Sequence, residues 1–189
     1  MQELFQEELI KDEHIMWTGQ PDTSVVFTRA DIFLIPFSLF WGGFAIFWEV
    51  TVLFARNKAG GGPPAFFALF GMIFVVLGLH FILGRFIWKN FKKKRTYYAV
   101  TNKRVIVLTK TFGKNIQAEF IDRIPGINKS IRSNGIGTVR FGNSNMMSAM
   151  YGNTGLDCFG SFYGQDLPVF YDIKDADRVH GIVNELRNK

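Results

Sequence analysis

The chain has 189 residues, a formal net charge of +6 and 21 phenylalanines. This length accommodates one domain, or one domain with a membrane anchor. The single cysteine, Cys158, excludes an internal disulfide and a cysteine-based metal site. Charge is segregated, since residues 1–31 carry seven acids and two bases, whereas residues 89–189 carry 17 bases and eight acids.

The acidic N-terminal segment, residues 1–31, contains a predicted amphipathic helix over residues 1–17. Phe5, Leu9 and Met16 lie close to one stripe of that helix, and acidic residues occupy the opposite face. Anionic lipid repels an acidic helix, so we expect this segment to pack on the basic C-terminal domain instead of on a membrane.

Residues 32–88 predict a hairpin of two membrane-spanning helices. Residues 32–55 form the first apolar segment, and residues 65–88 form the second, which begins with 20 residues that carry no formal charge. Each segment is long enough to cross the hydrocarbon core of a bilayer, which is about 30 Å thick. Residues 56–64 hold three glycines and two prolines, which predicts a short loop between the spans.

A few polar residues interrupt or flank the two predicted spans. Asp31 and Arg85 fall at the same predicted boundary, and we expect them to form an ion pair. Polar groups inside spans are candidates for function by default. We nevertheless interpret His80 as a hydrogen-bonded residue of the helix contact, and we expect Glu49, near the outer end, to reach water or Arg56.

Five bases follow the second span: Lys89, Lys92, Lys93, Lys94 and Arg95. The positive-inside rule places residues 89–189 in the cytoplasm, and two crossings place the N-terminus there as well. The chain is therefore predicted to be a multi-pass protein of the cytoplasmic membrane. The basic run has two interpretations, a stop-transfer signal and a contact for anionic lipid headgroups.

After the basic run the hydrophobic period changes to two, which predicts β-strands. The predicted strands are residues 96–101, 104–111, 116–120, 127–132, 137–141 and 167–173. A C-terminal helix follows, with Asp172 as its predicted N-cap. The apolar stripe of this helix consists of Ala176, Val179, Val183 and Leu186. The pattern is that of an α+β protein with a small barrel or sandwich closed by a helix.

The segment Tyr98-Ala-Val-Thr-Asn-Lys-Arg-Val-Ile106 resembles the first strand pair of bacterial pleckstrin-homology-like (PH-like) domains. Residues 121–131, 135–141 and 170–179 resemble later parts of that family, and residues 13–21 resemble the segment that precedes its paired spans. The resemblance implies a seven-stranded, strongly bent antiparallel sheet or barrel that a C-terminal helix caps. It also implies membrane-bound bacterial proteins that tend to oligomerise, without catalytic residues.

Residues 142–166 form an insertion relative to that family and are rich in glycine and methionine. The insertion lacks the Gly-Lys-Ser/Thr ending of a nucleotide-phosphate loop. We interpret it as a flexible or partner-binding loop.

No catalytic, cofactor-binding or metal-binding residues are predicted, and the chain is predicted not to be an enzyme. His14, His80 and His180 lie in three different elements without the spacing of metal ligands. Cys158 has no neighbouring base that would activate it as a nucleophile.

The sequence is interpreted as a membrane-anchored binding or scaffolding module that forms a homo-oligomer or binds a protein partner at the cytoplasmic face. The alternative function is a sensor of anionic lipid headgroups. An enzyme or a small transporter would need a group of polar side chains at one site, and the sequence pattern does not indicate such a group. We do not expect nucleic-acid binding, because aromatic residues in strands usually belong to the core. A barrel of the oligonucleotide-binding type is the alternative fold.

Overall fold

The computed structural model of the chain describes residues 1–57, 62–143, 152–156 and 167–188. Most of the insertion predicted over residues 142–166, with Cys158 and its three methionines, lies outside the described residues, as do four residues of the loop between the apolar helices. The described chain is α+β, with two long apolar helices and two antiparallel sheets.

The helix predicted over residues 1–17 is wrong. Only α1, Glu3–Gln6, is helical in this segment, and Ile15–Gly19 forms strand β1. β1 pairs with a strand that begins at Thr96, about 80 positions further along the chain. That pairing satisfies the backbone groups of residues 15–19, and it outweighs the weak helical periodicity of the segment.

The two apolar helices form an antiparallel hairpin. Helix α2 is Asp31–Arg56, and helix α3 is Ala65–Lys93. Helix α3 is α-helical over Ala65–Leu79, makes one π-helical turn over His80–Gly84 and is α-helical again over Arg85–Lys93. By length and composition, both helices are long and apolar enough to cross a membrane.

The seam between α2 and α3 is lined by small and polar residues. Its buried residues are Ser38, Gly42, Ala45, Glu49 and Val52 on α2, and Ala68, Gly71, Gly78 and Arg85 on α3. Steps of three and four residues keep such positions on one face of a helix. A Cβ atom added to Gly78 would lie 2.8 Å from Cα of Gly42, so the two backbones approach closely there.

In the part of the chain that the structure describes, seven strands form the two sheets. The first sheet has the order β1, β2 (Thr96–Thr101), β3 (Arg104–Lys110) and β4 (Lys114–Phe120). The second sheet has the order β5 (Ile127–Ile131), β6 (Gly137–Phe141) and β7 (Val169–Ile173), and a 3-10 turn at Ile121–Arg123 precedes it. The six predicted strands are present, with ends within two residues of the predicted ends.

The hairpin is inserted between two neighbouring strands of one sheet. β1 precedes α2, β2 follows α3, and the two strands pair in antiparallel fashion. The β-domain therefore takes its first strand from the N-terminal segment, and it does not begin at residue 89 as the sequence pattern indicated.

The main core lies between the two sheets and the C-terminal helix α4, Ala176–Arg187. Phe170 stacks on Tyr98 at 4.5 Å between ring centroids and contacts Phe141 edge-on at 4.9 Å. Burial raises the pKa of the Tyr98 hydroxyl, which accepts a hydrogen bond from the Tyr171 amide. The apolar face predicted for α4 packs on this core.

The outer face of the first sheet is covered by the N-terminal segment. Phe5 is fully buried against Ala99, Ile106 and Leu108. On the same side Glu13 accepts a hydrogen bond of 2.8 Å from Arg104 Nη2. The acidic segment therefore packs on the basic domain.

Candidate functional site at the junction of hairpin and sheets

Three cations lie on one face at the end of α3. Arg85, Lys89 and Lys93 are four residues apart and thus one above the other on the helix. Their exposed fractions are 1%, 5% and 5%. Together with Asp31 and Asp172 they form what we call the junction cluster. A buried charge is costly unless it is paired and hydrogen-bonded, so the partners of each cation define the site.

Arg85 joins α3 to α2. Its Nη1 donates a hydrogen bond to Asp31 Oδ1, and its Nε donates to the Phe81 carbonyl at 2.9 Å. Asp31 opens α2 and also accepts hydrogen bonds from the amide and the hydroxyl of Thr28. A carboxylate at the start of a helix also interacts favourably with the helix dipole.

The two buried lysines bind the linker between β1 and α2. Lys89 Nζ donates to the Val26 carbonyl at 2.7 Å. Lys93 Nζ donates to the carbonyls of Asp22 and Val25 at 2.9 and 2.8 Å, and lies 2.7 Å from Asp172 Oδ2. An ammonium group has three donors, so Lys93 is fully satisfied inside the protein.

Asp172 is the point at which β7 meets the hairpin. It is 1% exposed, and besides Lys93 its carboxylate accepts a hydrogen bond of 2.6 Å from Asn153 Nδ2 and lies 3.7 Å from Arg132 Nη2. Its carbonyl accepts a hydrogen bond of 2.7 Å from the Asp22 amide. The prediction that Asp172 caps the C-terminal helix is wrong, because Asp175 occupies the N-cap position.

Asp172 lies in an irregular part of β7, where the sequence pattern predicted the start of the C-terminal helix. Its φ is +52°, a left-handed conformation that costs a non-glycine residue about 1–3 kcal/mol. The strand register shifts opposite it, between Gly137 and Val139. Phe170 and Ile173 can therefore both face the core, although three positions separate them. The signal in the sequence was a carboxylate inside an apolar strand, which demands a cationic partner when buried.

The five bases proposed as a lipid contact separate into two groups. Lys89 and Lys93 point inward and bind the protein. Lys94 and Arg95 are exposed, and Lys92 is half-buried. The guanidinium of Arg95 lies 3.7 Å above the ring of Phe91.

A cleft of about 460 Å³ lies beside the junction cluster, between the end of β1, the end of α3 and the β7–α4 turn. Among its charged side chains, Asp22, Lys93, Lys174 and Asp175 contact protein partners, and Lys94 is exposed. Lys174 Nζ lies 3.4 Å from Asp22 Oδ2, and Trp17 Nε1 donates to Asp175 Oδ2 at 3.4 Å. Hydrogen bonds from Ser24, followed by Lys174, lower the pKa of Asp22. These contacts stabilise the junction, and they leave few free charged groups in the cleft that could bind a ligand.

The polar residues inside the hairpin have different surroundings. Glu49 is 5% exposed and lies against Gly71, so the expectation that it reaches water is wrong. Among the described residues its carboxyl oxygens have no hydrogen-bond partner. His80 begins the π-helical turn, with its ring against Gly84.

Within the described part of the chain, no group of three or more histidine, cysteine, aspartate or glutamate side chains could hold a metal ion. Comparisons of the chain with protein-family models, with curated proteins and with solved structures find no match. The function is therefore inferred from the contacts, burial and charges of this chain.

Proposed function

We propose that the chain is a multi-pass protein of the cytoplasmic membrane, anchored by the α2–α3 hairpin. Large apolar side chains face outward along both helices, with Phe40 77% exposed and Leu69 71% exposed. Only 28% and 17% of the most apolar windows of α2 and α3 are buried, whereas a core helix of a soluble protein is mostly buried. Hydrocarbon is the solvent that suits such a surface. The basic residues in the last turns of α3 and directly after it favour the orientation with both termini in the cytoplasm.

The β-domain is proposed to be PH-like. Among the described residues it has seven strands, in sheets of four and three, followed by one helix, and the resemblance implies the same number of strands and a C-terminal helix. In this arrangement the membrane hairpin is an insertion between the first two strands of the domain.

The observation that carries the functional proposal is the buried connection between hairpin and domain. Lys93 and Asp172 are 5% and 2% exposed in their side chains and lie 2.7 Å apart. Pairs of this kind have few alternative partners, and they favour one relative orientation of the elements that they join. When the domain is held in one orientation on a membrane, every copy presents the same surface in the same direction. This arrangement suits a scaffolding or assembly module.

The exposed edge of the first sheet is the proposed assembly surface. Six of the seven residues of β4 are exposed, and among the described residues no strand pairs with its outer side. Such an edge offers a row of backbone donors and acceptors to another strand. We propose that β4 of one copy pairs with β4 of a second copy.

The alternative, a sensor of anionic lipid headgroups, has less support. A sensor needs cations that are free to bind and release the headgroup, and Lys89 and Lys93 are committed to carbonyl groups and to Asp172.

The first test is the mass of the full-length protein in mild detergent, corrected for bound detergent. A discrete oligomer is expected, and a monomer at all concentrations would contradict the scaffold proposal. The second test is oxidative cross-linking of Gln117→Cys in a Cys158→Ser background. Opposed residues in antiparallel strands have Cα atoms about 4.5–5.5 Å apart, which suits a disulfide. Gly181→Cys, on the exposed face of α4, is the matched control and should not cross-link.

A further inference from the structure

An aromatic patch lies at the base of the hairpin, on the side away from the junction cluster. It consists of Trp88 and Phe91 on α3 and Phe112 in the turn between β3 and β4. The ring centroids of Trp88 and Phe112 are 5.5 Å apart, with an interplanar angle of 18°. Phe112 is nevertheless 89% exposed, the largest exposed fraction among the exposed large apolar side chains. The turn thus carries a bulky apolar side chain that the protein itself leaves uncovered.

The position of the aromatic patch along α3 sets its depth relative to the proposed bilayer. The uncharged part of α3 ends at Gly84, and Trp88 lies four residues beyond it, about 6 Å at 1.5 Å per residue. The headgroup layer extends about 5–7 Å beyond the hydrocarbon on each side. Trp88 therefore lies within that layer, and Phe112, which stacks on it, lies at the same level. Ile87 is 71% exposed, so the apolar surface of the hairpin continues to this level.

Basic residues lie beside the aromatic patch. Arg95 lies 3.7 Å above the Phe91 ring, and the Lys110 amide donates to the Arg95 carbonyl at 2.8 Å. The side chains of Arg95 and Lys110 are exposed. On the N-terminal segment, Glu7 and Glu8 are engaged with Lys114. An exposed aromatic ring flanked by bases fits an anionic headgroup layer.

We propose that the β3–β4 turn inserts Phe112 into the anionic headgroup layer of the bilayer that holds the hairpin, so that the domain contacts the membrane at a second point. This inference rests on the proposed membrane anchor. It assigns the lipid contact to the turn and to Arg95 and Lys110, and not to the buried lysines of α3.

The test places a fluorophore on single cysteines of the full-length chain, in a Cys158→Ser background, after reconstitution into liposomes. Gly113 and Gly126 form a matched pair, because an added Cβ meets nothing within 4 Å at either position. Gly113 adjoins Phe112 at one end of β4, whereas Gly126 follows the other end of this strand, whose seven residues span about 20 Å. Phe40→Cys on α2 reports the anchor itself. The probes are phosphatidylcholine liposomes with and without phosphatidylglycerol, which contain lipids brominated near the headgroup or deep in the acyl chain.

The expected result is quenching at Gly113→Cys by the shallow bromines, quenching at Phe40→Cys by the deep bromines and none at Gly126→Cys. Quenching at position 113 should be greater with phosphatidylglycerol and should be lost in Phe112→Ser. Quenching at position 40 without quenching at position 113 would overturn this inference alone. Absence of quenching at position 40 would overturn the anchor and the inference together. Equal quenching at positions 113 and 126 would mean that the domain lies flat on lipid, which also contradicts the inference.

Discussion

The hairpin and the β-domain bury opposite kinds of side chain. In the hairpin the phenylalanines face outward, and the buried residues include Gly42, Gly78 and Arg85. In the β-domain the phenylalanines Phe141 and Phe170 are fully buried. This contrast agrees with the proposed membrane anchor, in which one chain meets two different surroundings. Water drives apolar groups inward in the domain, whereas in hydrocarbon close backbone packing and polar contacts hold helices together.

Replacing a phenylalanine by alanine in each region gives the largest expected difference in stability between the two regions. Phe170→Ala removes the ring that contacts Trp17, Tyr98 and Phe141, and we expect it to lower the free energy of unfolding by about 3–5 kcal/mol. Phe40→Ala removes a ring that is 77% exposed and should change stability little. Thermal unfolding of both variants in detergent, followed by circular dichroism, measures the difference. Equal losses would mean that Phe40 packs against protein.

The junction cluster lies where the hairpin meets the β-domain. Removing one of its charges tests how much the buried ion pair contributes to stability. Asp172→Asn leaves the buried Lys93 without its carboxylate, and we expect a loss of about 3 kcal/mol in the free energy of unfolding. Asp177→Asn alters an exposed pair with Lys129 and is the matched control. Adding Lys93→Met to Asp172→Asn should restore part of the loss, since the uncompensated charge is removed. No recovery in the double variant would contradict the pairing.

Glu13 tests a buried charge within the β-domain itself. Burial acts to raise its pKa, but hydrogen bonds from Arg104, Thr101 and the Ile10 amide outweigh burial and lower the pKa from 4.5 to about 2. A lowered folded-state pKa stabilises the protein above the unfolded value. This contribution, about 3 kcal/mol, is therefore complete above pH 4.5 and is lost as the pH falls to 2.

The measurement for Glu13 is the free energy of unfolding as a function of pH, for the wild type and for Glu13→Gln. The variant should be less stable at pH 7 and should lack this part of the acid dependence. Glu7→Gln, whose side chain is 83% exposed beside Lys114, is the control. An unchanged acid profile in Glu13→Gln would show that other carboxylates determine the acid sensitivity.

The smallest expected effect concerns helix packing in the hairpin. A Cβ atom at Gly78 would lie 2.8 Å from backbone Cα of Gly42, so Gly78→Ala forces the helices apart. We expect a loss of about 1–2 kcal/mol, as for other overpacked sites. An added Cβ at Gly43, next to Gly42 on α2, meets nothing within 4 Å. Gly43→Ala should therefore leave stability unchanged or raise it slightly, because alanine favours a helix over glycine. Unfolding of both variants in mixed micelles compares the two positions.

Local patterns predicted the elements better than the contacts between them. Strand β6 alternates with a period of two, β2 and β3 are short runs rich in β-branched and aromatic residues, and α2 and α3 follow from the length of apolar sequence. β1 was missed because its partner β2 lies on the other side of the hairpin. A pairing over that distance leaves no trace in local periodicity.

The composition and order of the residues by themselves determined that the chain has a long apolar hairpin, an antiparallel β-region and a basic segment where the two meet. Those features depend on side-chain polarity and spacing, which are local. Only the tertiary structure decided that Lys89 and Lys93 point inward and bind carbonyls of residues 22–26. It also decided that Asp172 pairs with Lys93 and does not cap the C-terminal helix, and that Phe112 is exposed beside Trp88. The physical reason is that a charge or a ring is stabilised by whatever lies within a few ångströms of it, and here those neighbours come from distant parts of the chain.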